Sequence, residues 1–73
     1  MKDLTAIGKA LNEISWQWLS DNHPRLAEAI EVEVDRGAAP ADIRRYVMDK
    51  TQRLELALRC EQGAAWLVES ESS

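Results

Sequence analysis

The chain has 73 residues, of which 45% are hydrophobic and 30% charged, and its formal net charge is −4. This composition is typical of one small globular domain and disfavours disorder outside the tail. The negative balance disfavours binding to phosphate polymers, and the lack of a long apolar run leads us to expect neither a membrane anchor nor an export signal. The single cysteine, Cys60, excludes an internal disulfide and favours a reducing, cytoplasmic location.

The first predicted helix covers residues 4–19, with Asp3 as its N-cap. Its apolar residues recur at helical spacing and predict one buried stripe. The stripe consists of Ile7, Leu11, Ile14 and Trp18. Because Trp16 is two residues from Trp18, its side chain points about 200° away from Trp18 on a helix. We therefore expect Trp18 in the core and Trp16 on the polar side.

Two prolines mark the next two helices. Pro24 suits the first position of a helix over residues 24–36, and Gly37 is placed to end that helix in a left-handed conformation. Pro40 begins a third helix over residues 40–50 in the same way. The residues expected to face inward from these two helices are Leu26, Ala29, Ile30, Val34, Ile43, Tyr46 and Val47.

The polar run 50–53 predicts a break or kink near Thr51, and a last helix follows over residues 53–68. Its expected inner residues are Leu54, Ala57, Leu58, Ala64, Ala65 and Val68, flanked by Leu56, Cys60 and Leu67. Whether the third and last helices form one kinked helix or two stays open. Residues 69–73 are expected to fray. The predicted fold is an all-α bundle of three to four helices in one domain over residues 1–73.

Trp16 and Trp66 are the candidate interaction residues, because both fall on the polar sides of their helices. Tryptophan is enriched at interaction hot spots, where it contributes a large rigid surface. Either at least one of these rings contacts another molecule, or the two rings pack against each other or under the C-terminal tail within one chain. The sequence leaves both alternatives open.

Two charged sets add to this surface. An acidic row on the second helix consists of Glu28, Glu31 and Asp35, and a basic cluster on the third includes Arg44 and Arg45. Such rows are most often solvated faces. They could also orient two copies, with the acidic row of one meeting the basic cluster of the other.

Three other polar residues have structural interpretations. Glu61 lies inside the apolar arc of the last helix, and we expect it to pair with a nearby arginine. His23 has no partner at ligand spacing, and Cys60 is expected to be a buried small hydrophobe. The sequence therefore predicts no catalytic residues, no metal site and no cofactor, and we expect the protein not to be an enzyme.

One spacing resembles the helix-turn-helix of response-regulator-type DNA-binding domains over about 18 residues. The residues that carry it are Gly37, Ile43, Val47 and Leu54. The resemblance implies that polar residues around Leu54 start a recognition helix and reach base edges. These polar residues are Thr51, Gln52, Arg53 and Glu55. The net charge of −4 is the main objection to this function.

We therefore predict a small cytoplasmic helical protein-interaction module that self-associates as a homodimer and recognises its partner through an aromatic and aliphatic surface. The alternative is a helix-turn-helix-like DNA-binding protein or transcription accessory protein. The sequence does not identify the partner, the biological process or the geometry of the oligomer.

Overall fold

A computed structural model describes the backbone of residues 4–72 and the side chains of residues 11–70. Four helices follow in chain order, α1 (Leu4–Asn22), α2 (Pro24–Asp35), α3 (Pro40–Thr51) and α4 (Leu54–Ser72). The prediction of a small all-α bundle is confirmed, and the third and last helices are separate. The helices α1 and α4 extend beyond their predicted ends at residues 19 and 68. Residues 69–72, which were expected to fray, therefore belong to α4. The predicted N-cap, Asp3, lies outside the described residues, and so does the side chain of Ile7, the first residue of the predicted stripe.

The start and end of α2 follow from its proline and glycine. Pro24 occupies the first turn, where a missing N–H costs nothing. At the other end, Gly37 has a φ of 96°, as predicted for a left-handed cap. The Gly37 N–H donates to the Val34 carbonyl at 2.9 Å, and the Ala38 N–H donates to the Glu33 carbonyl at 3.0 Å. This pair of bonds is the Schellman motif, which satisfies carbonyls that the helix end leaves free.

The link between α3 and α4 is only two residues long. Gln52 adopts the left-handed conformation with a φ of 55°, which ends α3. The Thr51 hydroxyl donates to the Val47 carbonyl at 2.8 Å and accepts the Arg53 N–H at 3.2 Å. These two bonds fix the turn, so the polar run that predicted a break marks a tight corner between two helices.

The helix α4 is the central element, because it packs against α1, α2 and α3. The buried apolar side chains from all four helices form one core, made of Leu19, Ala27, Ile30, Val34, Ile43, Val47, Leu56, Ala57, Cys60 and Ala64. The expected burial of Ile30, Val34, Ile43 and Val47 is thus confirmed. Cys60 is fully buried, also as predicted.

For the residues whose side chains the structure describes, the predicted buried stripe of α1 is wrong. Leu11 and Ile14 are 54% and 62% exposed, whereas Leu19 is fully buried and Ser15 is 6% exposed. Trp18 was placed in the core but is only half-buried. At about 100° per residue, the side of α1 that packs on the bundle is rotated by about 90° from the centre of the predicted stripe.

Other predictions of burial also need correction. In α4, Leu54 and Leu58 were expected inside but are 58% and 40% exposed, and Val68 is exposed as well. The flanking residue Leu56 is buried in their place. Tyr46 was expected to face inward but is exposed, with the ammonium group of its neighbour one turn later 5.7 Å from the ring centre.

The α2 helix shows a smaller shift of the same kind. Leu26 and Ala29 are only half-buried, and Ala27 is buried instead. Within the described helices, none has the length and apolar character that crossing a membrane requires.

Candidate interaction surface on α1 and α4

Trp16 and Trp66 stack on each other within one chain. Their ring centres are 6.4 Å apart, and the ring planes differ by 17°. The Trp16 ring also lies on Gly63, where a Cβ would come within 3.0 Å of Trp16 Cε3 and 3.5 Å of its Cα. Both indoles remain half-buried rather than enclosed. The alternative in which the two rings pack together is therefore the observed one, while contact of either ring with another molecule stays a prediction.

The close approach of α1 to α4 depends on small and polar residues. Gly63 is buried beneath Trp16, so α1 can lie directly on α4 at this level. The Ser15 hydroxyl donates to Gln62 Oε1 at 2.8 Å, which satisfies the hydroxyl where α1 meets α4. These contacts explain why α1 packs through Ser15 and Trp16, and why its most apolar side points elsewhere.

That other side of α1 forms an exposed apolar surface with α4. We call it the α1/α4 face, and its apolar residues are Leu11, Ile14 and Leu58. They are 54%, 62% and 40% exposed. Together with Ser15 and Gln62, these three residues border a groove of about 350 Å³ that runs between the two helices. Isolated exposed leucines are normal, but several around one groove indicate a surface that another molecule can cover.

A charged pair borders the same groove. Arg59 Nη2 lies 3.7 Å from Glu55 Oε1, and the Arg59 guanidinium lies 4.5 Å from the centre of the Trp18 ring. The Glu55 side chain is 85% exposed, so this ion pair contributes little to the stability of the fold. It does give the groove one positive and one negative group beside its apolar residues.

The predicted charged residues are distributed over other parts of the surface. Arg44 Nε pairs with Glu61 Oε2 at 3.2 Å, which confirms the expected partner of that carboxylate within the arc. Arg45 is exposed on α3. The acidic row on α2 is also exposed, and it consists of Glu28, Glu31 and Asp35. The fold brings neither Arg45 nor the acidic row into the α1/α4 face, so their role in orienting a second copy stays a prediction.

His23 and Cys60 do not form a reactive pair. The His23 ring packs against Trp18, with the ring centres 5.5 Å apart. Burial raises the pKa of the Cys60 thiol from 9.0 to about 11. At neutral pH this thiol is therefore protonated and enclosed in the core, which makes it a poor nucleophile. Among the residues that the structure describes, no three His, Cys, Asp or Glu side chains are grouped to hold a metal ion.

The sequence contained a signal for this surface that periodicity alone did not resolve. Ile14, Trp18, Leu11, Leu19 and Trp16 together span about 200° of the α1 surface at 100° per residue. One neighbouring bundle covers only part of such an arc, so either side of it could have been the buried one.

Comparison with known proteins adds no further guide to function, because no protein-family model matches the chain and no curated protein or solved structure is significantly similar to it.

Proposed function

We propose that this protein is a small, non-catalytic protein-interaction module that forms a homodimer through the α1/α4 face. The observation that supports this proposal most is the exposure of Leu11 and Ile14 beside Leu58. Fully burying an apolar side chain of this size contributes about 1.5–3 kcal/mol, of which the isolated chain gains only part. A domain of this length has a small core, so self-association is a common way to stabilise it.

The shape of the α1/α4 face favours a second copy as the occupant. Leu11 and Ile14 project beside the groove that they share with Leu58. In a two-fold dimer the same surface meets itself, so it must supply both the projecting groups and the space that receives them. A pair of copies related in this way can place the α1 side chains of each in the groove of the other.

Charge and area support the same arrangement. The groove carries one acid and one base, Glu55 and Arg59, so two copies can meet there without like charges accumulating. A standard interface buries about 800 Å² of each partner, or about 15% of the 5195 Å² accessible surface of this chain. The helices α1 and α4 each have 19 residues and are therefore about 28 Å long, enough to provide a face of that order.

The test is the double substitution Leu11→Gln and Ile14→Gln, with molar mass measured by light scattering across a concentration series. We expect the wild type to approach twice its 8.3 kDa chain mass as concentration rises. The double variant should dimerise at least about a hundredfold more weakly, because each copy loses two buried apolar groups. Its helical circular dichroism should not change, since both residues are exposed in the single chain.

The matched control is Val32→Gln. Val32 is 44% exposed but lies on α2, outside the α1/α4 face, so this variant should dimerise like the wild type. A wild type that keeps the monomer mass up to millimolar concentration would refute the homodimer. Equal weakening by the control would show that a different surface carries the association.

A second candidate function is DNA binding through α3 and α4. The observation that favours it is the short α3–α4 corner, which exposes Thr51, Gln52 and Arg53 immediately before α4. Against it, the exposed part of α4 also carries Glu55 and Glu69, which would repel phosphates. Titration with mixed-sequence duplex DNA at low salt decides between the two functions, because even non-specific DNA binders show salt-dependent affinity there.

We also propose a cytoplasmic location. Its support is the one free thiol, Cys60, which the fold keeps buried. Oxidising compartments favour disulfides in domains of this size, so a lone free cysteine is more typical of a reducing one.

A further inference from the structure

A second cavity lies at the end of the bundle where two turns meet. The α1–α2 link and the first turn of α2 contribute His23, Pro24, Arg25 and Leu26. The end of α3, the α3–α4 link and the first turn of α4 contribute Thr51, Arg53 and Leu56. The cavity has a volume of about 510 Å³, which is within the range of small-molecule sites. None of the residues that define the α1/α4 face contributes to it.

The charge around this end cavity is opposite to that of the whole protein. Arg25 and Arg53 both line it, and none of the acidic side chains within residues 11–70 does. Three other arginines of the described side chains are paired with carboxylates, namely Arg36, Arg44 and Arg59. Within residues 11–70, by contrast, neither Arg25 nor Arg53 forms an ion pair. In a chain of net charge −4, two unpaired arginines at one cavity make a local positive site.

The walls between the arginines are apolar. Leu56 is 5% exposed and belongs to the core, and Leu26 packs against that core. Pro24 adds a further apolar surface at the start of α2. The Thr51 hydroxyl is already engaged in two hydrogen bonds that hold the corner in place, so it forms part of the wall.

This combination defines the chemistry of a ligand. An apolar wall favours a hydrocarbon or aromatic group, and guanidinium groups favour a planar anion that can accept two parallel hydrogen bonds. The first turn of α2 starts at the same place without a side-chain cap, and its free amides add to the positive potential. We propose that the end cavity binds a small carboxylate with an apolar tail. Arg25 and Arg53 hold the carboxylate, and the tail lies against Leu26 and Leu56.

Three probes test this proposal on the full chain. Octanoate has both the charge and the tail, 1-octanol has the same tail without charge, and acetate has the charge without the tail. Calorimetric titration should give one octanoate per chain, with 1-octanol and acetate binding at least tenfold more weakly. In nuclear magnetic resonance spectra, octanoate should shift the backbone amides of residues 23–26 and 51–56 more than those of α1 around Leu11 and Ile14.

Substitutions at the two arginines give the second part of the test. Arg25→Gln and Arg53→Gln should each weaken octanoate binding several-fold, and the double variant should bind it no better than 1-octanol. Both side chains are exposed, so helicity should be unchanged. The control is Arg45→Gln, which removes an exposed arginine that lies outside the cavity and forms no ion pair with the described side chains. It should leave octanoate affinity unaltered.

Several results would overturn the end-cavity proposal. Absence of octanoate binding, equal affinity for octanoate and 1-octanol, or amide shifts centred on the α1/α4 face would each do so. An equal loss of affinity in Arg45→Gln would assign the effect to overall charge. Octanoate binding is measured independently of molar mass. The end-cavity proposal can therefore be refuted while the homodimer proposal holds, and the homodimer proposal can be refuted while the end-cavity proposal holds.

Discussion

The two sides of α1 are similar in apolar character but differ in packing. On the inner side, Trp16 lies on Gly63 and stacks on Trp66, and Leu19 is fully buried. On the outer side, Leu11 and Ile14 are more than half exposed. The inner side is buried because α4 presents a glycine to it, so that a large flat ring fits closely. Shape complementarity, rather than hydrophobicity alone, decided the orientation of α1.

The largest expected effect comes from removing the aromatic contact of the inner side. Trp16→Ala should lower the free energy of unfolding by about 2–4 kcal/mol, because it leaves space between Gly63 and Trp66. Ile14→Ala should change it by less than about 1 kcal/mol, since Ile14 is 62% exposed. Urea unfolding at concentrations where both variants are monomeric measures the difference. Equal losses in the two variants would mean that both sides of α1 are packed alike.

A smaller effect should follow from filling the space beneath Trp16. Gly63→Val places side-chain atoms where even a Cβ would lie 3.0 Å from the Trp16 ring, and we expect destabilisation of about 1–3 kcal/mol. In Gly63→Ala the clash is limited to one atom, and the better helix propensity of alanine, about 1 kcal/mol, offsets part of it. Thermal unfolding of both variants tests this order. If valine is tolerated as well as alanine, the contact between Trp16 and Gly63 is not tight.

The smallest effect concerns the core beside this contact and depends on pH. Burial raises the pKa of Cys60 from 9.0 to about 11. Well below pH 9 the thiol is protonated in the folded and unfolded chain alike. Between pH 9 and 11 the unfolded thiol loses its proton first, so stability falls with rising pH, by at most about 1.4 kcal/mol per pH unit.

Cys60→Ala is the control for this pH dependence. It should lack this component, so the difference in unfolding free energy between wild type and variant should change from pH 8 to pH 10. Urea unfolding at both values measures it. A constant difference across that range would show that the thiol is accessible to water in the folded chain.

The boundaries of α2 and α3 could be predicted to within one residue because local chemistry sets them. Pro24 and Pro40 begin helices, and Gly37 ends one with a positive φ that other residues rarely adopt. The polar run before Leu54 marked the corner between α3 and α4. The pairing of Glu61 was also predictable, because a carboxylate within an apolar arc needs a cation, and Arg44 provides it.

The orientation of α1 could not be predicted from its periodicity. Its apolar arc is wider than one contact can cover, and the sum of hydrophobicity around the helix points to Leu11, Ile14 and Trp18. The observed contact instead uses Ser15, whose hydroxyl bonds to Gln62 across the helix pair. This hydrogen bond and the contact of Trp16 with Gly63 join residues that are 47 positions apart in the chain. A pattern within one helix therefore cannot predict either of them.

The same reason explains why the α1/α4 face differs from the interaction surface predicted around Trp16 and Trp66. The sequence by itself determined the all-α class, the ends of the two middle helices and an excess of apolar surface on α1, because these depend on backbone preferences and on spacing along one helix. Only the tertiary structure decided which of these residues stay exposed. Trp16 packs on the Trp66 ring and on Gly63 of α4, whereas Leu11 and Ile14 stay more than half exposed. Close packing selects among apolar sides by the shape of what lies opposite, and that information belongs to the pair of helices and not to either one.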